Sequence, residues 1–86
     1  MKYRVLFKES VEKDLKKIPK ARLRIIYEKI HHLLAEDPWK KGESLKGKWE
    51  GLKKFNVPPF RIIYTIFEEQ KTILILRIRH RKDVYR

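Results

Sequence analysis

Phe60-Arg61-Ile62-Ile63-Tyr64-Thr65-Ile66-Phe67, then Glu68-Glu69-Gln70-Lys71, then Thr72-Ile73-Leu74-Ile75-Leu76-Arg77-Ile78-Arg79 is the stretch that decides the fold. Two runs rich in Ile, Thr, Tyr and Phe flank four polar residues, the pattern of two strands and a hairpin connection. Strands joined by so short a link must be antiparallel. Just upstream, Leu52 to Val57 reads as another strand. It ends at Pro58-Pro59, which cannot donate to a ladder and marks a turn. On strand periodicity Lys54 and Asn56 share one face, and Lys53 points to the other. Arg77, Arg79 and Arg81 share one face of the last strand, which directs Leu74, Leu76 and Ile78 toward the core.

Working toward the N-terminus, residues Trp39 to Gly51 carry all three glycines and several lysines without a period, and read as a loop. Before it, Leu23, Ile26, Tyr27, Ile30, Leu33 and Leu34 recur at steps of three and four, which predicts a helix over 20–35 ended by Asp37-Pro38. Val11, Leu15 and Ile18 predict a shorter helix that Pro19 stops, with Ser10 as its N-cap. Glu9, Glu12 and Asp14 fall in its first turns, where carboxylates complement the helix dipole. Tyr3, Val5 and Phe7 alternate with Lys2, Arg4 and Lys8 as in a half-buried strand. The expected fold is α+β, in the order β-α-α-β-β-β. Two N-terminal helices pack on one face of an antiparallel sheet, and residues 1–86 form a single domain.

With 86 residues and a formal charge of +12, the chain attracts polyanions: nucleic acid, a ribosome, an acidic protein or an anionic membrane surface. The charge is uneven. Lys40 to Lys54 and Arg77 to Arg86 each carry a net +4. A sheet with helices on one face and cations on the other suits a phosphate backbone. One Asn, one Gln and 40% charged residues form a bias that resembles thermophile proteomes and gives part of the excess a non-functional source.

Other chemistries are excluded or weakly supported. The absence of cysteine excludes disulfides, thiolate metal sites and cysteine nucleophiles. His31 and His32 are adjacent on a helix, about 100° apart, and do not form a metal clip. No glycine-rich phosphate loop or serine elbow is present. No apolar run approaches membrane length, and Met1-Lys2-Tyr3-Arg4-Val5 does not open a signal peptide. A cytoplasmic chain is expected. The tail holds His80, Arg81 and Tyr85, residue types that suit RNA cleavage. When the nucleophile is the substrate's own 2′-hydroxyl, the enzyme needs alignment, charge stabilisation at phosphorus and two proton transfers, and no metal.

Leu45-Lys46-Gly47, Phe60-Arg61-Ile62-Ile63-Tyr64 and His80-Arg81-Lys82-Asp83-Val84-Tyr85, in this element order, resemble the RelE/ParE toxin superfamily across nearly the whole chain. The resemblance implies a toxin of a type II toxin–antitoxin pair. RelE-type members are ribosome-dependent mRNA endoribonucleases that cut in the A site without a metal or other cofactor and leave a 2′,3′-cyclic phosphate. By that resemblance Lys54, Arg61 and Arg81 contact the scissile phosphate, Tyr85 orients or deprotonates the 2′-hydroxyl, and His80 is a secondary acid–base candidate. Lys46, Lys48, Lys53, Arg77, Arg79 and Lys82 are candidate RNA contacts. The implied partners are an acidic RelB-like antitoxin, in a toxin–antitoxin hetero-oligomer, and the ribosome with its mRNA; no membrane is implied. The alternatives are a ParE-like DNA gyrase inhibitor without nuclease chemistry and a basic RNA- or ribosome-binding module. Leu52 stands where the family often has a second basic residue, Asn56 where arginine is frequent, and Arg79 where glycine is usual.

Overall fold

A computed structural model describes residues 2–82 of the chain. The expected hairpin is its centre: β4, Phe60–Phe67, pairs antiparallel with β5, Thr72–His80. β3, Lys53–Val57, lies antiparallel on the other side of β4. Two strands complete the sheet. β1, Arg4–Phe7, flanks β5, and β2, Glu43–Ser44, flanks β3, so the order is β1-β5-β4-β3-β2.

The sheet departs from the expected all-antiparallel one because β1 pairs with β5 in parallel. Only short connections force a reversal. Between β1 and β2 the chain runs through α1, Ser10–Lys16, α2, Lys20–Lys29, and the short α3, Pro38–Lys41. That long path leaves the direction of β1 free. Three successive antiparallel steps from β2 then bring β5 alongside β1 in the same direction.

The helix expected over 20–35 occupies that span but winds its last turn, Ile30–Leu34, as a π-helix, with the Ala35 N–H donating to Ile30 O five residues back. Ile26, Ile30 and Leu34 are fully buried, while Leu33, predicted on the same stripe, is largely exposed. Asp37-Pro38 ends this helix and begins another. The Asp37 carboxylate accepts from the Lys40 N–H, and Pro38 takes the first helical position, where its missing N–H costs nothing. The 39–51 segment read as loop therefore holds α3, β2 and a 3-10 turn at Gly47–Trp49.

The helices cover one face of the sheet. Val11, Ile18, Ile26, Ile30 and Leu34 meet Phe55, Val57, Ile62, Tyr64, Ile73, Ile75 and Ile78 there. A bulge resets the alternation of β5. Ile63 pairs with Arg77 but Tyr64 pairs with Ile75, which leaves Leu76 as the extra residue. Ile73 and Ile75 point inward before it and Ile78 after it. Of the three residues expected in the core, Ile78 is there, while Leu74 and Leu76 are only half-buried.

Tyr64 anchors α3 to the sheet. Its ring is fully buried and its hydroxyl donates to Pro38 O at 2.6 Å. Burial, together with the nearby Asp37 charge, raises the phenol above its ordinary range. A Cβ on Gly42 would stand 1.8 Å from that hydroxyl. Gly42→Ala therefore forces the ring or α3 to move, an overpacking cost of about 2 kcal/mol. A melting-temperature loss of roughly 8–16 °C is expected by circular dichroism.

Glu68, in the hairpin, accepts hydrogen bonds from Tyr3 Oη and Trp39 Nε1, both at 2.6 Å, and is ion-paired with Lys71. It thus ties the start of β1 and α3 to the β4–β5 turn. The hydrogen bonds from Lys71, Tyr3 and Trp39 hold its carboxyl down at about 2. A carboxyl lowered on folding contributes stability above its unfolded value, near 4.5, and that contribution vanishes as pH falls toward 2. Urea titrations should show wild type more stable than Glu68→Gln at pH 6, with the gap closing between pH 4.5 and 2.

Candidate nucleic-acid interface

The face of the sheet turned away from the helices carries the cations. Cross-strand register sets them in two rows. Lys54, Ile63 and Arg77 lie side by side across β3, β4 and β5, and Asn56, Arg61 and Arg79 form the next row. Ile63 is 4% exposed although it lies outside the helix-packed core. It is the apolar position between Lys54 and Arg77 in the first row. Lys54 is ion-paired to Glu43 of β2 at 3.5 Å.

Past β5 the backbone stays in register for one more step, with the Arg81 N–H donating to Pro59 O at 2.9 Å. This bond brings the end of β5 against the β3–β4 turn. Asn56, Pro58, Pro59, Phe60, Arg61 and Arg81 line one shallow depression of about 100 Å³ there. Two guanidiniums and an amide thus face a common space from three chain segments.

Arg77 and Arg79 are tied from behind. β1 covers β5 only through Ile75, and α1 runs along the uncovered remainder. Ser10 Oγ donates to Leu76 O, so its hydroxyl serves this edge; the N-cap of α1 is Glu9. Asp14 Oδ2 accepts from the Ile78 N–H at 3.0 Å and from Arg77 Nε at 3.1 Å, and Oδ1 accepts from Arg77 Nη2 at 3.2 Å and Arg79 Nε at 3.3 Å. The Asp14 side chain is 1% exposed. It is a buried pivot for the cationic rows, which its expected part in a helix dipole did not reveal. Local spacing accounts for a carboxylate at that position without any partner, and the partners lie more than 60 residues away.

The other sequence candidates are dispersed. His80 falls on the helix side, opposite Phe60, with ring centroids 5.8 Å apart and edge to face. Its Nδ1 accepts from the Lys82 N–H at 3.4 Å. With Asp14, Lys17, Ile18, Phe60, Ile78 and Arg79 it lines a cavity of about 440 Å³, so it does not join Arg61 and Arg81 in their depression. Lys53 also faces the helix side and is buried, which removes it from the expected RNA-contacting surface. Lys46, Lys48 and Lys82 are exposed, Lys48 lying 5.4 Å from the Trp49 ring centroid. His31 and His32 are exposed on the last turn after α2. Tyr85 lies outside the described residues.

Chemically, the outer face is rich in donors: two guanidiniums converging on one depression, the Asn56 amide beside them, and one row away the Lys54 ammonium, which is shared with Glu43. Such a set holds a phosphodiester and stabilises extra negative charge on it. Among the described residues no helix is long and apolar enough to cross a membrane.

The small mixed sheet with helices on one face is shared with chains of solved toxin–antitoxin complexes. Over residues 5–85 the chain matches, and belongs to, the family described as ParE toxin of the type II toxin–antitoxin system, parDE, within the RelE/ParE superfamily. It is 33% identical to Toxin RelG of Mycobacterium tuberculosis over 86 residues, all of this chain and 99% of that one. Among solved structures it resembles the toxin–antitoxin complex RelBE2 of M. tuberculosis, with a TM-score of 0.89 and 30% identity over 96% of this chain and 95% of that one. The archaeal RelE–RelB complex of Pyrococcus horikoshii is similar at a TM-score of 0.73 and 27% identity, over 98% and 100% of the two chains.

Proposed function

We propose that the chain is a RelE-type, ribosome-dependent mRNA endoribonuclease that cuts in the A site. The observation that supports this most is the single depression shared by Arg61, Arg81 and Asn56. In this reading the 2′-hydroxyl attacks the adjacent phosphorus and forms a P–O2′ bond. The P–O5′ bond breaks, and the products are a 2′,3′-cyclic phosphate and a free 5′-hydroxyl. The 2′-hydroxyl loses one proton and the 5′-oxygen gains one. Arg61 and Arg81 stabilise the charge that accumulates on the phosphorane, and Lys54 holds the neighbouring backbone. Tyr85 orients the nucleophile, and His80, on the far side of the sheet, is left a secondary part. No metal is needed, because the nucleophile arrives with the substrate. A toxin this basic also requires an acidic partner, and the similarity to two solved toxin–antitoxin complexes supports a RelB-like antitoxin in a hetero-oligomer.

The test is to map 5′ ends on mRNA in translating ribosomes treated with purified protein. New ends within the A-site codon are expected. Intact mRNA with inhibited gyrase supercoiling would instead identify a gyrase inhibitor. Intact mRNA with graded, salt-sensitive RNA binding would identify a binding module.

A further inference from the structure

On the helix side of the sheet, Lys53 stands out. Its residue is 9% exposed, and lysine is almost never buried unless paired. Its ammonium donates to Ser44 Oγ at 3.1 Å and lies 5.8 Å from the centroid of the Trp39 ring. Among the described residues no carboxylate lies within ion-pair distance of it; the nearby Glu43 is bonded to Lys54 on the other face. A hydroxyl and a ring face leave an ammonium with three donors short of an anionic acceptor.

A cavity of about 290 Å³ opens beside it. Its walls are Trp39, Leu45, Leu52 and Ile66, with Ser44 and Lys53 as the polar groups inside and Glu50 also lining it. We propose that this cavity is a binding site for a carboxylate carried on an apolar peptide segment, an Asp or Glu side chain between hydrophobic neighbours, with Lys53 as its counter-ion and Trp39 as its wall.

Three features select that ligand. The volume lies at the lower end of small-molecule pockets, about 300 Å³, so it takes a side chain or two rather than a whole nucleotide. One buried cation among apolar walls balances a monoanion, whereas a phosphate group needs several donors. The cavity also lies across the sheet from Arg61 and Arg81, so RNA held on the outer face does not enter it. The proposal goes beyond the nuclease reading and stands whether or not the outer face cuts RNA.

The test titrates the full chain with the capped peptide acetyl-Ala-Leu-Glu-Leu-Ala-amide and follows the Trp39 indole N–H by NMR. Saturable shifts at that resonance are expected. The glutamine analogue should bind at least tenfold more weakly, and inorganic phosphate should not displace the peptide. Lys53→Met keeps the buried stem and should abolish the difference between the two peptides. The circular dichroism spectrum of Lys53→Met checks that the variant is folded. If Lys53→Met fails to fold, the two peptides on wild type still decide the matter. Equal binding of both peptides, displacement by phosphate, or shifts confined to exposed lysines would overturn the proposal.

Discussion

Arg61→Ala and Arg81→Ala are each expected to lower the rate of A-site mRNA cleavage by about 10²–10³-fold, the usual loss when one preorganised charge-stabilising group is removed. Both side chains line the same depression, but they are held differently. Arg61 sits mid-row on β4 between Asn56 and Arg79, whereas Arg81 is exposed and fixed through its backbone bond to Pro59. If they act on the phosphorane, the effect falls on kcat and kcat/KM alike, because the interaction matters most in the transition state. Arg61→Lys keeps the charge but loses the planar fork, so it should recover only part of the rate. Lys46→Ala, on the exposed segment before the 3-10 turn, should leave the rate nearly intact and reduce the salt slope of RNA binding by about one. Cleavage by Arg61→Ala within a few-fold of wild type would remove the proposed chemistry from this depression.

The residues that were legible in the sequence are those whose cause is local. The β4–β5 hairpin and the 20–35 helix follow from their periods, and the opposite facing of Lys53 and Lys54 follows from strand alternation. The features that escaped depend on distant groups or on ambiguous patterns. Thr72 to Leu76 is apolar or β-branched at every position, so no parity is marked and the bulge at Leu76 leaves no trace. The parallel pairing of β1 is hidden because its connection to β2 is long enough to permit either direction. At the site, Arg61 and Arg81 were found through the family resemblance, and the Pro58-Pro59 turn explains why they converge. His80 sits beside Arg81 in sequence, but strand alternation puts it on the other face.

Asp14→Ala should strongly destabilise the fold. The carboxylate accepts from two arginines and from the Ile78 N–H, and it is closed off from water. Removing one partner of a fully buried ion pair costs about 3–5 kcal/mol. Here the Arg77 and Arg79 side chains are 38% and 25% exposed and can recover hydration, which lowers that figure. The Ile78 amide, on a residue 1% exposed, cannot recover as readily and is left without its acceptor, at about 1–3 kcal/mol. Together a loss of about 2–4 kcal/mol is expected, or roughly 10–30 °C in melting temperature for a domain of this size. The same substitution should act oppositely on RNA binding. It removes one negative charge from behind the cationic rows, so at a temperature where the variant is folded the salt slope of RNA binding should steepen by about one to two. A melting temperature within about 2 °C of wild type would show that the edge of β5 is held by other contacts, and an unchanged salt slope would show that Arg77 and Arg79 do not meet the backbone. A lower melting temperature with a steeper slope is the result that identifies Asp14 as the group that both closes the sheet edge and limits the charge presented by the outer face.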